Sequence, residues 1–391
     1  MHRGTQDPKW SRAGHTAGID RSDGKFYLVG GGIASLAVAA FLIRDGDVRG
    51  GNITILEESD RLGGSLDGSG SAQDGYLMRG GRMFEGKYLC TYELFSSIPT
   101  LDKSKTVTRE TFDWNETIKT SSKSRLFLDG HRLDTPSYGL DEPHILTLER
   151  LSIEPEHLME NSRISDYFDP SFFKTNFWFM WCTTFAFQPW HSAVEFRRYL
   201  RRVAHMVSGF NQLHGIVRTV YNQYDSMVRP LHQWLDEHGV NFELNTRVTD
   251  LVLEEGPQGN QVKGILCERA GQPHPIAVGP ADSVIVTLGS MTEGSSLGEM
   301  DHAAVLNGKP NGGAWMLWEK IATGRPAFGR PSAFADHIDE SGWLSFTTTL
   351  RDPALFRLIR DLTGNVPGEG GLITFPQSNW LASITPACRT C

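Results

Sequence analysis

The sequence predicts an α/β fold: a parallel sheet built on a glycine turn, with a largely helical segment inserted between its early and late strands. Three observations predict it. KFYLVGGGIASLAVAAFLIRDG (25–46) reads as strand, tight turn and helix, and NITILEES (52–59) as a second strand, so a βαβ unit opens the chain. SFFKTNFWFMWCTTFAFQPW (171–190) then packs nine aromatics into twenty residues and runs into a helical pattern, SAVEFRRYLRRVAHMV. Strand patterns return only afterwards, in 240–256, 261–269 and 282–290.

Each element has its own local reason. Phe26–Val29 is a short run of strand formers; glycines interrupt it, and Ala34–Ile43 is dense in helix formers. The second strand alternates β-branched residues and ends at the acidic pair Glu57-Glu58. Residues 100–165 are charged, Ser/Thr-rich and weakly periodic, and read as loops, short strands and an exposed helix. PLHQWLDEHG (230–239) reads as a helix closed by a C-cap glycine. VNFELNTRVTDLVLEEG (240–256) reads as a pair of strands, QVKGILCER (261–269) as a hairpin partner, and DSVIVTLGS (282–290) as a buried strand running into Gly289.

Composition sets bounds. A chain of 391 residues can hold two or three packed units, and 39% hydrophobic with 21% charged residues is ordinary for a globular protein. A formal net charge of −8 excludes a general nucleic-acid binder. Five scattered cysteines argue against a disulfide framework, and the terminal C-R-T-C has neither a preceding strand nor a second ligand pair, so no metal is predicted. Residues 1–24 are polar and read as a disordered arm without a secretory signal. No apolar run reaches the length of a transmembrane helix, and the expected compartment is the cytoplasm.

The turn GGGIAS (30–35) fits G-x-G-x-x-G with Ser35 in the third place. Gly30 permits the turn, Gly32 lets backbone approach a pyrophosphate, and a small third residue keeps helix against strand. The first helical turn, with Ala34, offers N–H groups and a positive dipole end to phosphates. Glu57, with Glu58 beside it, ends the second strand where ribose hydroxyls are bound. A second glycine pair follows in D-R-L-G-G-S (60–65), placing Gly64 and Ser65 near the same phosphates. The late strands, with Val248 in one and Gly289-Ser290 ending another, return to this unit. That layout resembles FAD proteins of the glutathione-reductase type, so FAD is the expected cofactor. RGGRMFEG (79–86) then reads as the loop passing the flavin, with Gly80 and Gly81 making the close approach, Arg79 and Arg82 at its polar edge or the phosphates, and Met83 packed alongside. A plain surface turn is the alternative. The boundaries drawn are 25–135 and 239–300 for the two parts of the FAD-binding domain, 136–238 for a mainly helical substrate domain, and 301–391 for the completion of both.

Seven segments together resemble one family, the oleate hydratases, also called myosin-cross-reactive antigens. They are VGGGIASLA (29–37), LEESDRLGGSLDG (56–68), YLMRGGRMFEG (76–86), NFWFMWCTTFAFQPWHSAVEFRRYL (176–200), YNQYDSM (221–227), VIVTLGSMTEGSS (284–296) and GEGGLITFPQSNWLAS (368–383). The resemblance implies a hydro-lyase that adds water to the cis double bond of a long-chain unsaturated fatty acid, with FAD shaping the site and no net redox change. It implies that Tyr199 protonates the alkene and that polar residues around Gln223 and Asn222 position the substrate. An aliphatic chain of about 18 carbons needs an apolar tunnel, worth about 0.8 kcal/mol per buried CH₂. The aromatic stretch containing Trp178 is expected to line it, with ordinary core as the alternative. Peripheral contact with a membrane and the oligomeric state stay open.

The chain departs from the family pattern in two places. Met83 stands where the family's water-activating glutamate aligns, and a thioether accepts no proton. Either Glu85 takes over, or the flavin and backbone position the water without a carboxylate; a surface salt bridge is the plainer role for Glu85. The text also leaves the pattern after Ser383, with Thr385 matching one substrate position and Cys391 standing where a histidine is expected, which reads as a truncated or altered end. Two other readings remain: a flavin oxidoreductase of the amine-oxidase type, and a non-catalytic flavin or fatty-acid-binding protein.

Overall fold

The computed structural model describes residues 24–66, 68–78, 82–256, 259–289, 292, 294–308, 313–379 and 381–385. Strands β1 (Phe26–Val29) and β2 (Ile53–Leu56) lie parallel, Phe26 opposite Ile53 and Val29 opposite Leu56, joined through helix α1 (Ile33–Arg44). Alternation sends their side chains to two buried faces, as in a sheet covered on both sides. Phe26, Leu28, Ile53 and Ile55 pack with Leu36, Ala39 and Ala40 of α1. Tyr27, Val29 and Leu56 enter a second core on the opposite face.

The chain then makes a short strand β3 (Phe84–Glu85) and helices α2 (Leu89–Phe95) and α3 (Val107–Thr117). The hairpin β4 (Ser124–Leu128) and β5 (His131–Asp134) follows, then helices α4 (Glu142–Ile153), α5 (Asn176–Phe185) and α6 (Ala193–Val203). Leu126 and Leu133 of the hairpin pack in the aromatic core that these helices enclose. Helix α6 tightens into a 3-10 segment over Ala204–Gln212. Strand β6 (Ile216–Val217) pairs antiparallel with β3, and helix α7 (Arg229–Glu237) ends where Gly239 takes φ +80° and donates its N–H to Asp236 O.

Strand β7 (Asn241–Glu243) pairs in parallel with β2, while β8 (Thr246–Gly256) leaves that sheet and forms a long hairpin with β9 (Gly259–Arg269). Val248, Leu251, Ile265 and Cys267 of this hairpin build the core beneath Tyr27 and Val29. Strand β10 (Ser283–Val286) completes the parallel sheet in the order β10-β1-β2-β7. The expectation of a buried strand is corrected here. Among the described residues β10 is an edge strand with β1 as its one neighbour, which leaves it half-buried. Late in the chain, β11 (Ile373–Thr374) and β12 (Ser383–Ile384) return to the hairpin of the aromatic body, in the order β12-β11-β4-β5. Among the described residues no helix is long and apolar enough to cross a membrane.

A glycine cradle and a tyrosine–glutamate–histidine cluster

Gly30 takes φ +91° and donates its N–H to Leu56 O at 2.8 Å, turning the chain at the end of β1. A Cβ there would come within 2.5 Å of Thr287 Oγ1. Thr287 in turn donates to Val29 O at 2.7 Å and meets Ser35 Oγ at 3.2 Å. Ser35 is wholly buried, so it fastens α1 to the end of β10 rather than reaching for a ligand. Gly63 N–H donates to Gly31 O at 2.9 Å, and Gly32 and Gly63 form a parallel bridge, so the two glycine turns are stitched together.

The space beside Gly32 is open. A Cβ on Gly32 would meet nothing nearer than Gly64 Cα at 4.0 Å. The N-terminus of α1 carries no side-chain cap and no acidic residue in its first turn, where Ala34 is exposed. A positive dipole end and the open space at Gly32, beside the stitched glycine turns, fit a pyrophosphate. Glu57 stands at the end of β2 as expected, with Oε2 accepting from Gly31 N–H at 2.5 Å and Oε1 from Ser59 N–H at 2.8 Å. Glu58 is exposed and 3.5 Å from Arg247 Nε. Val248 is buried beneath β1 as core and paired with Cys267, and Gly289 is half-buried just past β10. Arg79, Gly80, Gly81 and Ser290 lie outside the described residues.

The rest of the RGGRMFEG loop runs from the cradle to a second cluster. Arg82 is exposed, and its guanidinium donates to Ser65 O, one residue past Gly64. Its carbonyl accepts from buried Gln223 Nε2 at 3.1 Å. Gln223 leads into a π-helical turn, Tyr224–Val228, whose Tyr224 ring lies 3.9 Å below the Arg61 guanidinium. Asn222 is engaged by Asp225, accepting from its N–H at 3.0 Å and donating to its carboxylate at 2.6 Å. Met83 is half-buried between Arg82 and β3.

Glu85 is only 6% exposed, held by the pairing of β3 with β6 opposite Ile216. The surface salt-bridge reading of Glu85 is therefore corrected: the β3–β6 ladder draws it inward. Its Oε2 accepts from Lys87 N–H at 2.8 Å and from His205 Nε2 at 2.9 Å, and its backbone carbonyl accepts from Tyr92 OH at 3.0 Å. Tyr199 on α6 is half-buried, its ring edge-on to Phe185 and Phe187 at 5.3 and 5.2 Å. Arg202 connects the two groups, its guanidinium carbon 4.5 Å from the Tyr88 ring centre and 6.0 Å from that of Tyr199. Burial pushes the Tyr88 phenol above its ordinary value; Arg202 opposes that shift, while Glu85 and Tyr199 reinforce it. Burial, with Glu85 and Tyr88, also raises Tyr92 well above the ordinary phenol range.

His205 escaped the sequence reading. It sits on the 3-10 continuation of α6, and Tyr199, Arg202 and His205 recur every third residue, which was the signal available. Of the two arginines before Tyr199, Arg197 is 7% exposed and pairs with Glu156 at 3.0 Å, and Arg198 lies outside.

Two substrate residues are not brought to this cluster. Trp178 is buried among Phe172, Phe173 and Phe196, at ring distances of 5.6, 4.9 and 6.2 Å. The expectation that its stretch lines a tunnel is corrected at Trp178, because neighbouring rings fill its faces and edges. Thr385 is exposed just past β12, at the edge of the other sheet.

The MCRA family description matches residues 23–389. An oleate hydratase of Streptococcus pyogenes serotype M49 is 37% identical over 375 residues, 94% of this chain and 63% of that protein. A linoleate hydratase of Lactiplantibacillus plantarum is 30% identical over 372 residues, 88% of this chain and 65% of that protein. Cyclohexylamine oxidase of Brevibacterium oxydans superposes with a TM-score of 0.44 at 15% identity, covering 69% of this chain and 58% of that one. The chain thus spans somewhat under two-thirds of the length of both hydratases, and it belongs to the MCRA family.

Proposed function

We propose that this chain carries the hydration chemistry of a fatty acid hydratase, adding water to the cis double bond of an oleate-like acid with FAD as cofactor. The observation that carries this reading is the Arg82–Glu85 stretch. It is tied at one end to Ser65 beside the glycine cradle and at the other to a cluster containing Tyr199. A loop so placed sets a cofactor and a proton donor at a fixed spacing.

In this reading the backbone of Gly30, Gly32, Gly64 and Ser65 holds the pyrophosphate, Glu57 exchanges its Gly31 contact for ribose hydroxyls, and Arg82 stands at the polar edge. FAD, when bound, supplies a flat wall to the substrate site and no net electrons. Tyr199 delivers its phenolic proton to one alkene carbon while water adds to the other. A phenol with a pKa of about 10 is a weak acid, so the step is helped by a neighbouring cation, which Arg202 provides. Gln223 fixes the loop through Arg82 O, and Asn222 fixes the turn before it. Met83 offers soft apolar contact to the flavin or acyl chain and no base.

The test is mass spectrometry of oleate incubated with FAD-loaded protein in ¹⁸O-water. A hydroxy acid carrying the heavy oxygen is expected, with the flavin still oxidised. Unchanged oleate would overturn the reading, and bleaching of the flavin by substrate would indicate an oxidoreductase instead.

A further inference from the structure

We propose that His205, oriented by Glu85, is the proton acceptor that activates water in this chain; this rests on the hydratase reading above. The two side chains divide the work by exposure. The Glu85 side chain is 8% exposed and that of His205 is 27% exposed, with 2.9 Å between Oε2 and Nε2. Glu85 Oε2 is also taken up by Lys87 N–H. A buried, doubly hydrogen-bonded carboxylate is a poor partner for a mobile water, but it is well placed to fix an imidazole. Accepting from Nε2–H sets the tautomer and leaves the Nδ1 lone pair free. Among the described residues Nδ1 has no partner, and the ring is open enough to be reached by water.

Base and acid lie on one continuous helical segment. Tyr199, Arg202 and His205 follow one another at three-residue spacing across the end of α6 and its 3-10 continuation, whose three-residue turn aligns such positions. Tyr88 N–H donates to Glu85 O at 3.2 Å, and the Arg202 guanidinium lies 4.5 Å from the Tyr88 ring and 6.0 Å from that of Tyr199, so the four groups share one neighbourhood. The protons balance. Tyr199 O–H breaks and a C–H bond forms on one alkene carbon. A water oxygen bonds to the other carbon as its proton passes to His205 Nδ1. The imidazolium proton then returns to the Tyr199 phenolate through solvent, restoring both residues. His205 is the catalytic residue and Glu85 the positioning residue. The carboxylate missing at Met83 is replaced by an imidazole from another element.

Glu85 contacts the imidazole, and Tyr88, Tyr92, Tyr199 and Arg202 are linked to Glu85 and to one another in the same cluster. A neutral imidazole is required, so turnover falls once acid pH protonates the ring. The experiment measures oleate hydration against pH for the FAD-loaded parent, His205→Gln, Glu85→Gln and the double variant His205→Gln/Met83→Glu, with flavin content and melting temperature recorded for each. His205→Gln keeps a donor toward Glu85 and removes Nδ1. Its turnover is expected to fall about 10²–10⁴-fold, with flavin retained and the acidic limb lost. Glu85→Gln removes the charge that favours imidazolium, so the acidic limb moves to lower pH. Met83→Glu restores turnover in the His205→Gln background by supplying a carboxylate. His205→Gln with parental turnover and an unchanged acidic limb overturns the proposal while leaving the hydratase reading intact. If His205→Gln loses its fold, an unmoved limb in Glu85→Gln overturns it equally. A parent that makes no hydroxy acid overturns the hydratase reading, and this proposal with it.

Discussion

Gly32 and Gly64 pack closely together, and each lacks a side chain for a different reason. A Cβ on Gly64 would press to 3.1 Å from Gly32 Cα, and Gly64 holds φ +53°; a Cβ on Gly32 would stand in clear space at φ −73°. The fold therefore tolerates a side chain at Gly32, and only a ligand in that space would exclude it.

Gly32→Val should accordingly fold with a melting temperature close to the parent's and purify without flavin. A methyl-bearing carbon at that position occupies the room of a pyrophosphate. Visible absorbance of the purified variant, read beside its thermal unfolding, checks both halves. A yellow variant with full flavin would move the cofactor away from this turn.

Tyr199→Phe should abolish hydration and leave flavin content and fatty acid binding unchanged. The ring's packing partners, Phe185 and Phe187, are met by its edges and faces and not by its hydroxyl, so the apolar surroundings survive the change. Turnover near the parental value would assign the acid role to another group, Tyr88 being the nearest phenol on the far side of Arg202.

Arg125 holds the aromatic body together from inside. It is fully buried, donating to Leu372 O at 2.9 Å, Phe210 O at 2.6 Å, Met180 O at 3.3 Å and Thr184 Oγ1 at 2.8 Å. It has no carboxylate partner among these contacts, and burial pulls its pKa down to about 9. Arg125→Met leaves Leu372 O without its side-chain donor, while Phe210 O keeps Leu213 N–H and Met180 O keeps Thr184 Oγ1. A loss of about 1–3 kcal/mol is expected, measured by urea unfolding. A variant as stable as the parent would mean that Leu372 O finds another donor at no net cost.

The parallel βαβ unit was legible because its signals are local: a short apolar strand, glycines at the turn, helix formers after it and an acidic residue ending the next strand. The same signals located the second glycine pair. What the sequence did not reveal depends on contacts across long separations. Glu85 and His205 are 120 residues apart and meet side chain to side chain, and the strand pairing that draws Glu85 inward is two residues on each side, too short to carry a pattern. Arg125 in SRLFL looks like the polar residue of a half-exposed strand, yet it is among the most buried side chains in the molecule. The aromatic block was legible as apolar, but composition does not state whether rings line a channel or one another. At Trp178 the neighbouring rings answer that question.

Arg202 offers the last and most discriminating prediction. Its guanidinium carbon lies 4.5 Å from the centre of Tyr88 and 6.0 Å from that of Tyr199, and its charge lowers the Tyr88 pKa against the raising effect of burial. Removing it in Arg202→Met leaves burial unopposed, so Tyr88 should ionise at higher pH than in the parent, visible in an ultraviolet titration of the phenols. If Tyr199 releases a proton, the phenolate it becomes is stabilised by the same cation. Arg202 is exposed, so solvent screens its field, and kcat is expected to fall by about tenfold rather than by the larger factor of a dry site. Binding of the fatty acid should not change, because the lost interaction is strongest when charge has developed on the phenol. Arg202→Lys keeps the charge and loses the planar stacking over Tyr88, so it should recover part of kcat. Parental kcat in both variants, with an unmoved phenol titration, would show that Arg202 serves only to cover the two rings.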